Sequence, residues 1–460
     1  MPSSPAHDDT KRAVTGSSGR DRFGHPAGLS YLFATEMWER FSFYGMRALL
    51  VLYMLNELLQ PQHASNVVGL ASFRAGLEAL FGPLAPQPFA SQIYGFYSGL
   101  VYLTPIFGGL LADRVLGQRR TVILGASLMA AGHFLMAFEP MFLFALILLI
   151  LGSGCFKPNI STQLGALYPP GDHRRDRAFS IFYVGINLGA FFSPLVCGTL
   201  GEEWGWHYGF AAAGIGMTLG LVIYLLATPS LPKDALVKRA PAAAPLSRAD
   251  WRAIIALVVL MLPTSLFWAT YEQQGNTIVL WAADYTDRHL FGWLIPVTWF
   301  QAFNPFMIFA FTPFIVALWR QQGTREPSTV VKMSIGCFLN AASWLIMLAA
   351  VKVTGDGPGH GQASWLWLFA YFVVITIGEL YLSPTGLSLV TKVAPLHVLS
   401  LMMGVWLAAD FIGDFLAAYL GTFWSSMDKS AFFLMLAIIS AAAGVLIALL
   451  NWPLGKVLND

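Results

Sequence analysis

The chain carries little charge. Only 11% of its 460 residues are Asp, Glu, Lys or Arg, against roughly 25% in soluble globular domains. Together with 56% hydrophobic residues and a mean hydropathy of +0.61, this excludes a soluble domain and leaves a polytopic membrane protein. A net charge of +2 offers no extended basic surface, so no nucleic-acid partner is expected. Cysteine is scarce: Cys155, Cys197 and Cys337 form an odd set, each inside an apolar segment. They read as small buried residues rather than a disulfide framework. Nine histidines are scattered without metal-ligand spacing, so neither a metal nor a bound cofactor is expected. The absence of a nucleophile–base arrangement argues against an enzyme. Residues 1–28 are polar, rich in Ser, Gly, Asp and Arg, and lack a signal-peptide core. They read as a disordered cytoplasmic tail.

What the chain has in abundance is long hydrophobic runs. They fall at 29–59, 88–113, 119–138, 141–163, 178–201, 207–228, 250–282, 290–319, 330–353, 363–391, 396–422 and 431–453. Each reaches the ~20 residues that a helical crossing needs. With the N-terminus inside, the cytoplasmic connections hold Arg114, Arg119 and Arg120, Arg174, Arg175 and Arg177, Lys233, Lys238, Arg239 and Arg248, Arg320 and Arg325, Lys392 and Lys456. The opposite side holds only Arg74, Arg288, Lys352 and Lys429. This asymmetry puts both termini in the cytoplasm. A Pro/Ala-rich polar stretch, 229–249, divides the chain into six-helix halves, 29–228 and 250–455. Such a division suggests a duplicated carrier with its site between the halves, near mid-membrane. The 60–87 connection is long for a hairpin. Within it, residues 66–82 have helical periodicity, with Val67, Leu70, Phe73, Leu77, Leu80 and Phe81 on one face and Arg74 four residues before Glu78. An amphipathic helix on the outer membrane surface is expected there.

The scarce charge is concentrated where it costs most. Glu36, Glu39, Arg40 and Arg47 lie in the first segment. Insertion scales put each such group at ~2.5–3.5 kcal/mol at a helix centre. Their spacing places all four on one stripe, expected to face a polar cavity. The fourth segment has Lys157 beside Pro158, and the tenth has Glu379 before Pro384. Opposite charges in corresponding helices suggest a salt bridge that gates the cavity. The seventh segment brings Glu272, a partner for Arg47 or Arg40. The fifth and eighth offer Asn187 and Asn304, each with donors and an acceptor. Glu36, Glu39, Glu272 and Glu379 outnumber Arg40, Arg47 and Lys157 by one negative charge. Neighbouring carboxylates do not all ionise cheaply, which argues for a protonatable group, hence proton coupling, and for a ligand bearing both signs. Asp410 and Asp414 would deepen the excess if they face the cavity; the alternative is pairing within the bundle. His133, alone among apolar residues, reads as a satisfied interior or interfacial histidine rather than a proton relay.

Several of these runs resemble known motifs. Gly109–Arg120, with Asp113 and Arg119, resembles the signature loop between helices 2 and 3 of the major facilitator superfamily. The Glu-x-x-Glu-Arg-Phe run at 36–41 is similar to the first-helix motif of proton-coupled oligopeptide transporters. So are Phe182–Phe191, Phe156–Ser161, Phe267–Gln273 and Gly378–Leu380 to further motifs of that family, in order along the chain. The resemblance implies an all-α membrane fold of twelve helices in two pseudo-symmetric bundles. It implies proton-driven symport of di- and tripeptides by alternating access, with the proton as co-substrate, in a protein that works as a monomer in the bilayer. By resemblance Glu36, Glu39 and Arg40 would couple proton movement, and Arg47 would pair with Glu272, itself a proton site. Lys157 would face Glu379, Lys157 near the peptide carboxylate and Glu379 near its amino group. Tyr44, Tyr102, Asn187 and Asn304 would bond the peptide backbone, and Trp268 and Trp406 would shape side-chain pockets. Tyr97 lies close to Tyr102, and the spacing admits either.

The chain also departs from the family pattern. Phe43 stands where a tyrosine is common, so one hydroxyl is lost. The 229–249 linker is too short for the two extra helices of many bacterial members, and residues 354–362 form only a turn where animal relatives carry a domain. A bacterial inner-membrane protein is therefore expected. A sibling carrier for nitrate or a peptide-like solute is the nearest alternative, but nitrate carriers typically lack the complete Glu-x-x-Glu-Arg run.

Overall fold

The computed structural model describes residues 24–169, 172–232, 234, 246–355, 361–395 and 398–458. Most of the expected tail (1–23) and most of the expected linker (233 and 235–245) lie outside the described residues. Among the described residues twelve long helices follow one another: α1 (Ala27–Tyr53), α2 (Pro86–Leu116), α3 (Gln118–Leu135), α4 (Glu139–Ala166), α5 (Arg174–Trp204), α6 (Trp206–Ser230), α7 (Arg248–Asp284), α8 (Val297–Arg325), α9 (Thr329–Thr354), α10 (Trp365–Val393), α11 (Leu399–Gly421) and α12 (Lys429–Leu458). Ten of them hold a stretch long and apolar enough to cross a membrane. The other two are α1, whose four charges interrupt its apolar run, and α3, which opens on Gln118-Arg119-Arg120. Spans α1–α6 form one bundle and α7–α12 the other.

Breaks within the spans have local causes. Pro158 lies inside α4 and removes the donor that would have met the Gly154 carbonyl. Gly108 of α2 packs against that same carbonyl: a Cβ at 108 would lie 2.0 Å from Gly154 O. Only glycine fits this crossing. The eighth hydrophobic run was expected from 290, but α8 begins at Val297. Phe291 and Gly292 both have positive φ (51° and 84°), which turns the chain into a short hairpin pairing His289–Leu290 with Trp293–Leu294. Thr286–Asp287 pairs in parallel with Ala363–Ser364, tying the start of α10 to the end of α7.

In the long first connection a helix forms at Leu70–Phe81, shorter than the expected 66–82 because Gly69 (φ 82°) and Gly82 (φ 79°) bracket it. Val67, Leu70 and Leu77 are buried, and Phe73 packs on Phe89 and Phe96 of α2. Leu80, at 77% exposure, and Phe81 do not share that buried face. Arg74 Nε donates to Glu78 Oε1 at 2.9 Å. That bond, with one from Leu84 N, holds the Glu78 carboxyl below the usual carboxylate range. The contribution is therefore present above the ordinary carboxylate pKa and is lost as pH falls through the lowered one.

Candidate functional site: a cavity between the bundles

A cavity of about 270 Å³ lies between the two bundles. Its wall takes Tyr44 and Arg47 from α1, Tyr102 from α2, and Tyr183 and Asn187 from α5. The facing wall takes Trp268, Tyr271 and Glu272 from α7, Asn304 from α8, Glu379 from α10 and Asp410 from α11. Expected site residues that line it are thus Tyr44, Arg47, Tyr102, Asn187, Trp268, Glu272, Asn304 and Glu379. Of the two candidate tyrosines on α2, Tyr102 reaches the cavity; Tyr97 is buried and stacks on Phe43.

Each wall is held in place by polar contacts. The Arg47 guanidinium pairs with the Glu272 carboxylate across the bundle interface, and its Nε donates to the Tyr94 hydroxyl at 2.7 Å. Glu379 Oε2 accepts from the Tyr271 hydroxyl at 2.5 Å and from Asn304 Nδ2 at 2.9 Å. Asn304 Nδ2 also approaches Thr376 Oγ1 at 3.1 Å. Asn187 Nδ2 donates to Tyr183 O in its own helix at 3.0 Å.

Three expectations need correction. First, the charged stripe of α1 is split. Arg40 pairs with Glu36 and Glu39, and all three side chains are at most 4% exposed and absent from the cavity wall. Arg40 and Arg47 are separated by seven residues, ~10 Å along a helix, so only Tyr44 and Arg47 reach the level of the cavity. Second, no ion pair joins Lys157 to Glu379 among the described residues. Lys157 Nζ sits 4.4 Å from the centroid of the Tyr102 ring and 5.7 Å from that of Phe43, while Tyr271 and Asn304 occupy Glu379. Phe43 also lies under the Arg40 guanidinium at 4.9 Å, so the ring that replaces a tyrosine meets two cations. Third, Trp406 is buried and absent from the wall. Its indole fills the space left by Gly386, where a Cβ would lie 2.6 Å from Cζ2.

Elsewhere, His133 is wholly buried, and neither ring nitrogen has a hydrogen-bonding partner among the described residues, so it is not the satisfied histidine expected. Arg119 donates to the carbonyls of Leu231 and Pro232 just past α6, and Asp113 is exposed.

Sequence reasoning missed the residues that close one end of the cavity. Glu202, at the end of α5, accepts from Val297 N and Thr298 N, both at 2.8 Å, and from Thr298 Oγ1 at 2.7 Å. These are the free donors of the first turn of α8. Trp299 Nε1 donates to Thr199 Oγ1 at 2.8 Å, and Gly198 admits Thr298, whose Oγ1 would be 1.9 Å from a Cβ at 198. On the same side Ser91 Oγ donates to Asn276 Oδ1, and Gln87 Nε2 donates to Gly421 O, both at 2.9 Å. The bonds of Glu202, Trp299, Ser91 and Gln87 thus gather at one end of the interface between the bundles. The molecule is closed at the α5–α8 end. Glu202 stands in an unremarkable Gly-Glu-Glu-Trp turn, so only its partner across the interface reveals it.

With this geometry in place, comparison with known proteins is decisive. The model of the POT family matches residues 119–248 and 243–437. A di-/tripeptide transporter of Lactococcus lactis subsp. cremoris is 35% identical over 95% of this chain and 97% of its own length. The chain belongs to the POT family. A peptide transporter from Yersinia enterocolitica is 34% identical over 88% of this POT chain and 89% of its own. The crystal structure of a POT peptide transporter in complex with sulfate superposes with a TM-score of 0.84, at 30% identity, over 96% of this chain and 97% of the other. A POT transporter in complex with 5-aminolevulinic acid superposes with a TM-score of 0.80, also at 30% identity, over 94% and 97%. This POT-family protein is a membrane transporter, not an enzyme.

Proposed function

We propose that this transporter carries di- and tripeptides into the cell with protons, across the inner membrane, by alternating access. The observation that carries the reading is a cavity between two bundles whose walls hold basic and acidic side chains. Arg47 stands in the α1–α6 wall; Glu379 and Asp410 stand in the α7–α12 wall. The volume is near the lower end of ordinary ligand sites and suits a small molecule charged at both ends. Glu379, already fed by the Tyr271 and Asn304 donors, receives the peptide amino group. The carboxylate meets Arg47, and Lys157 adds positive potential from behind the Tyr102 ring. Tyr44, Tyr102, Asn187 and Asn304 bond the peptide backbone, and Trp268 bounds a side-chain pocket.

Proton binding at Glu272 breaks its pair with Arg47 and loosens the α1–α7 contact, which lets the closed end open. The buried Glu36–Glu39–Arg40 group, near Lys157, passes charge changes to the other end of α1. Positive residues concentrated in one set of loops support cytoplasmic termini, so the closed α5–α8 end faces outward and the cavity inward. The transporter works as a monomer in the bilayer, without a bound cofactor.

The test is uptake of labelled dipeptide into proteoliposomes with and without an inward proton gradient. Accumulation only with the gradient is the expected result; gradient-independent accumulation overturns the proton role. An acetylated, amidated dipeptide and a free amino acid both compete poorly, because neither satisfies both charged walls. Equal competition by the blocked dipeptide overturns the charge-clamped site.

A further inference from the structure

Asp414 is the unexplained charge of this molecule. It lies in α11, one turn beyond Asp410, so the two carboxyls share a helix face. Asp410 lines the cavity, whereas Asp414 is 1% exposed. Neither of its carboxyl oxygens has a hydrogen-bond partner among the described residues. An ionised carboxylate left in this state costs several kcal/mol by desolvation alone, which a neutral carboxylic acid avoids. α2 and α11 approach closely here: a Cβ at Gly95 would lie 2.7 Å from the backbone carbonyl oxygen of Asp414.

The charged groups that act on Asp414 among the described residues include members of the transport machinery. From α1, Arg47 acts on it electrostatically, and from α4 so does Lys157. From α2, Tyr94 and Tyr102 interact with it electrostatically. From its own helix, Asp410 interacts with it. On α7, Glu272 holds the Arg47 guanidinium, whose Nε bonds Tyr94. Arg47 is therefore paired with one carboxyl, Glu272, and within electrostatic reach of a second, Asp414.

We propose that Asp414 is a second proton-carrying carboxyl of the transport cycle, exchanging its proton with the cavity through Asp410 and serving as the alternative anionic partner of Arg47. This rests on the proton-coupled reading above. In the closed-end conformation Glu272 is the carboxylate paired with Arg47, and Asp414 is the neutral acid. A proton arriving at Glu272 forms an O–H bond there and releases Arg47. Arg47 turns to Asp414, whose O–H bond breaks; that proton passes to Asp410 and on to the cavity. One proton enters at Glu272 as another leaves at Asp410, and the net charge of the cluster is unchanged. Asp410 and Asp414 thus give the proton an exit on the cavity side, while Arg47 always keeps a carboxylate partner.

The test uses Asp414→Asn in proteoliposomes beside wild type, reading peptide counterflow, pH-driven accumulation and proton flux per peptide. Asparagine copies the neutral acid in shape but cannot give up a proton or accept Arg47 as an anion. The expected result is counterflow with loss of pH-driven accumulation, and restoration of accumulation by Asp414→Glu. Accumulation by Asp414→Asn with wild-type proton flux and pH profile overturns the proposal. So does loss of counterflow in a variant that elutes as a folded monomer, since a neutral side chain would then not fit this conformation. If Asp414→Asn does not fold, the neutral-acid assignment falls for the same reason. Wild type that shows no gradient-driven accumulation overturns the proton-coupled reading itself, a separate outcome.

Discussion

Glu202→Gln is expected to loosen the closed end of the cavity. The carboxylate of Glu202 accepts three hydrogen bonds from the first turn of α8, two at 2.8 Å and one at 2.7 Å. Glutamine has the same size but offers one acceptor oxygen, and it turns an N–H toward a backbone donor. Hydrogen bonds to a charged group contribute about 1.5–3 kcal/mol each. Loss of the negative charge at a helix N-terminus removes about 0.3–1 kcal/mol more. Glu202 is only half-buried, so water replaces part of what is lost and the net weakening is about 2 kcal/mol. That is a ~30-fold shift of the equilibrium toward the conformation open at this end. The assay is pulsed electron–electron resonance between spin labels at Trp204→Cys and Phe291→Cys, both exposed positions on opposite bundles. The native cysteines are buried and react slowly. A longer-distance population that grows in Glu202→Gln supports the reasoning. Identical distance distributions in both proteins refute it, because the latch would then carry no conformational free energy.

Three further outcomes follow from the same structure. Glu272→Gln keeps a side chain beside Arg47 but removes a titratable group, so peptide counterflow persists while gradient-driven uptake falls by an order of magnitude or more; an unchanged dependence on external pH would move the proton role elsewhere. Lys157→Ala removes a cation beside the Glu36–Glu39–Arg40 group and behind Tyr102, and uptake against a gradient is lost while the purified protein stays monodisperse; near wild-type accumulation would show that Lys157 is dispensable. Replacing residues 62–86 by a flexible linker removes the packing of Val67, Leu70, Phe73 and Leu77 and lowers the melting temperature but preserves uptake; complete loss of uptake in a well-folded variant would make this segment a gate.

The membrane class and the twelve spans were legible in the sequence, because a hydrocarbon slab imposes a length and a polarity that composition alone satisfies. Even α1 and α3, which are less apolar, stand out as hydrophobic runs at 29–59 and 119–138. The first and seventh spans advertised Arg47 and Glu272, since a charge in an apolar run has few explanations. Sequence by itself did not set depth. Glu36, Glu39, Arg40 and Arg47 share one stripe of one helix, yet only Arg47 reaches the cavity, because the cavity has a level along the helix that the pattern of α1 does not encode.

Pairing across the bundles was decided only by the tertiary structure. Lys157 and Glu379 have opposite signs in corresponding helices, but in this conformation Tyr102 takes the first and Tyr271 with Asn304 takes the second. Glu202 is an ordinary residue at a helix end until the first turn of α8 is brought to it, and Trp406 looks like a cavity wall until Gly386 receives it. A stripe on one helix is a property of adjacent residues, fixed by backbone geometry. A contact between bundles depends on a rigid-body arrangement that exchanges in a carrier, so one sequence serves more than one set of partners, and the structure chooses among them.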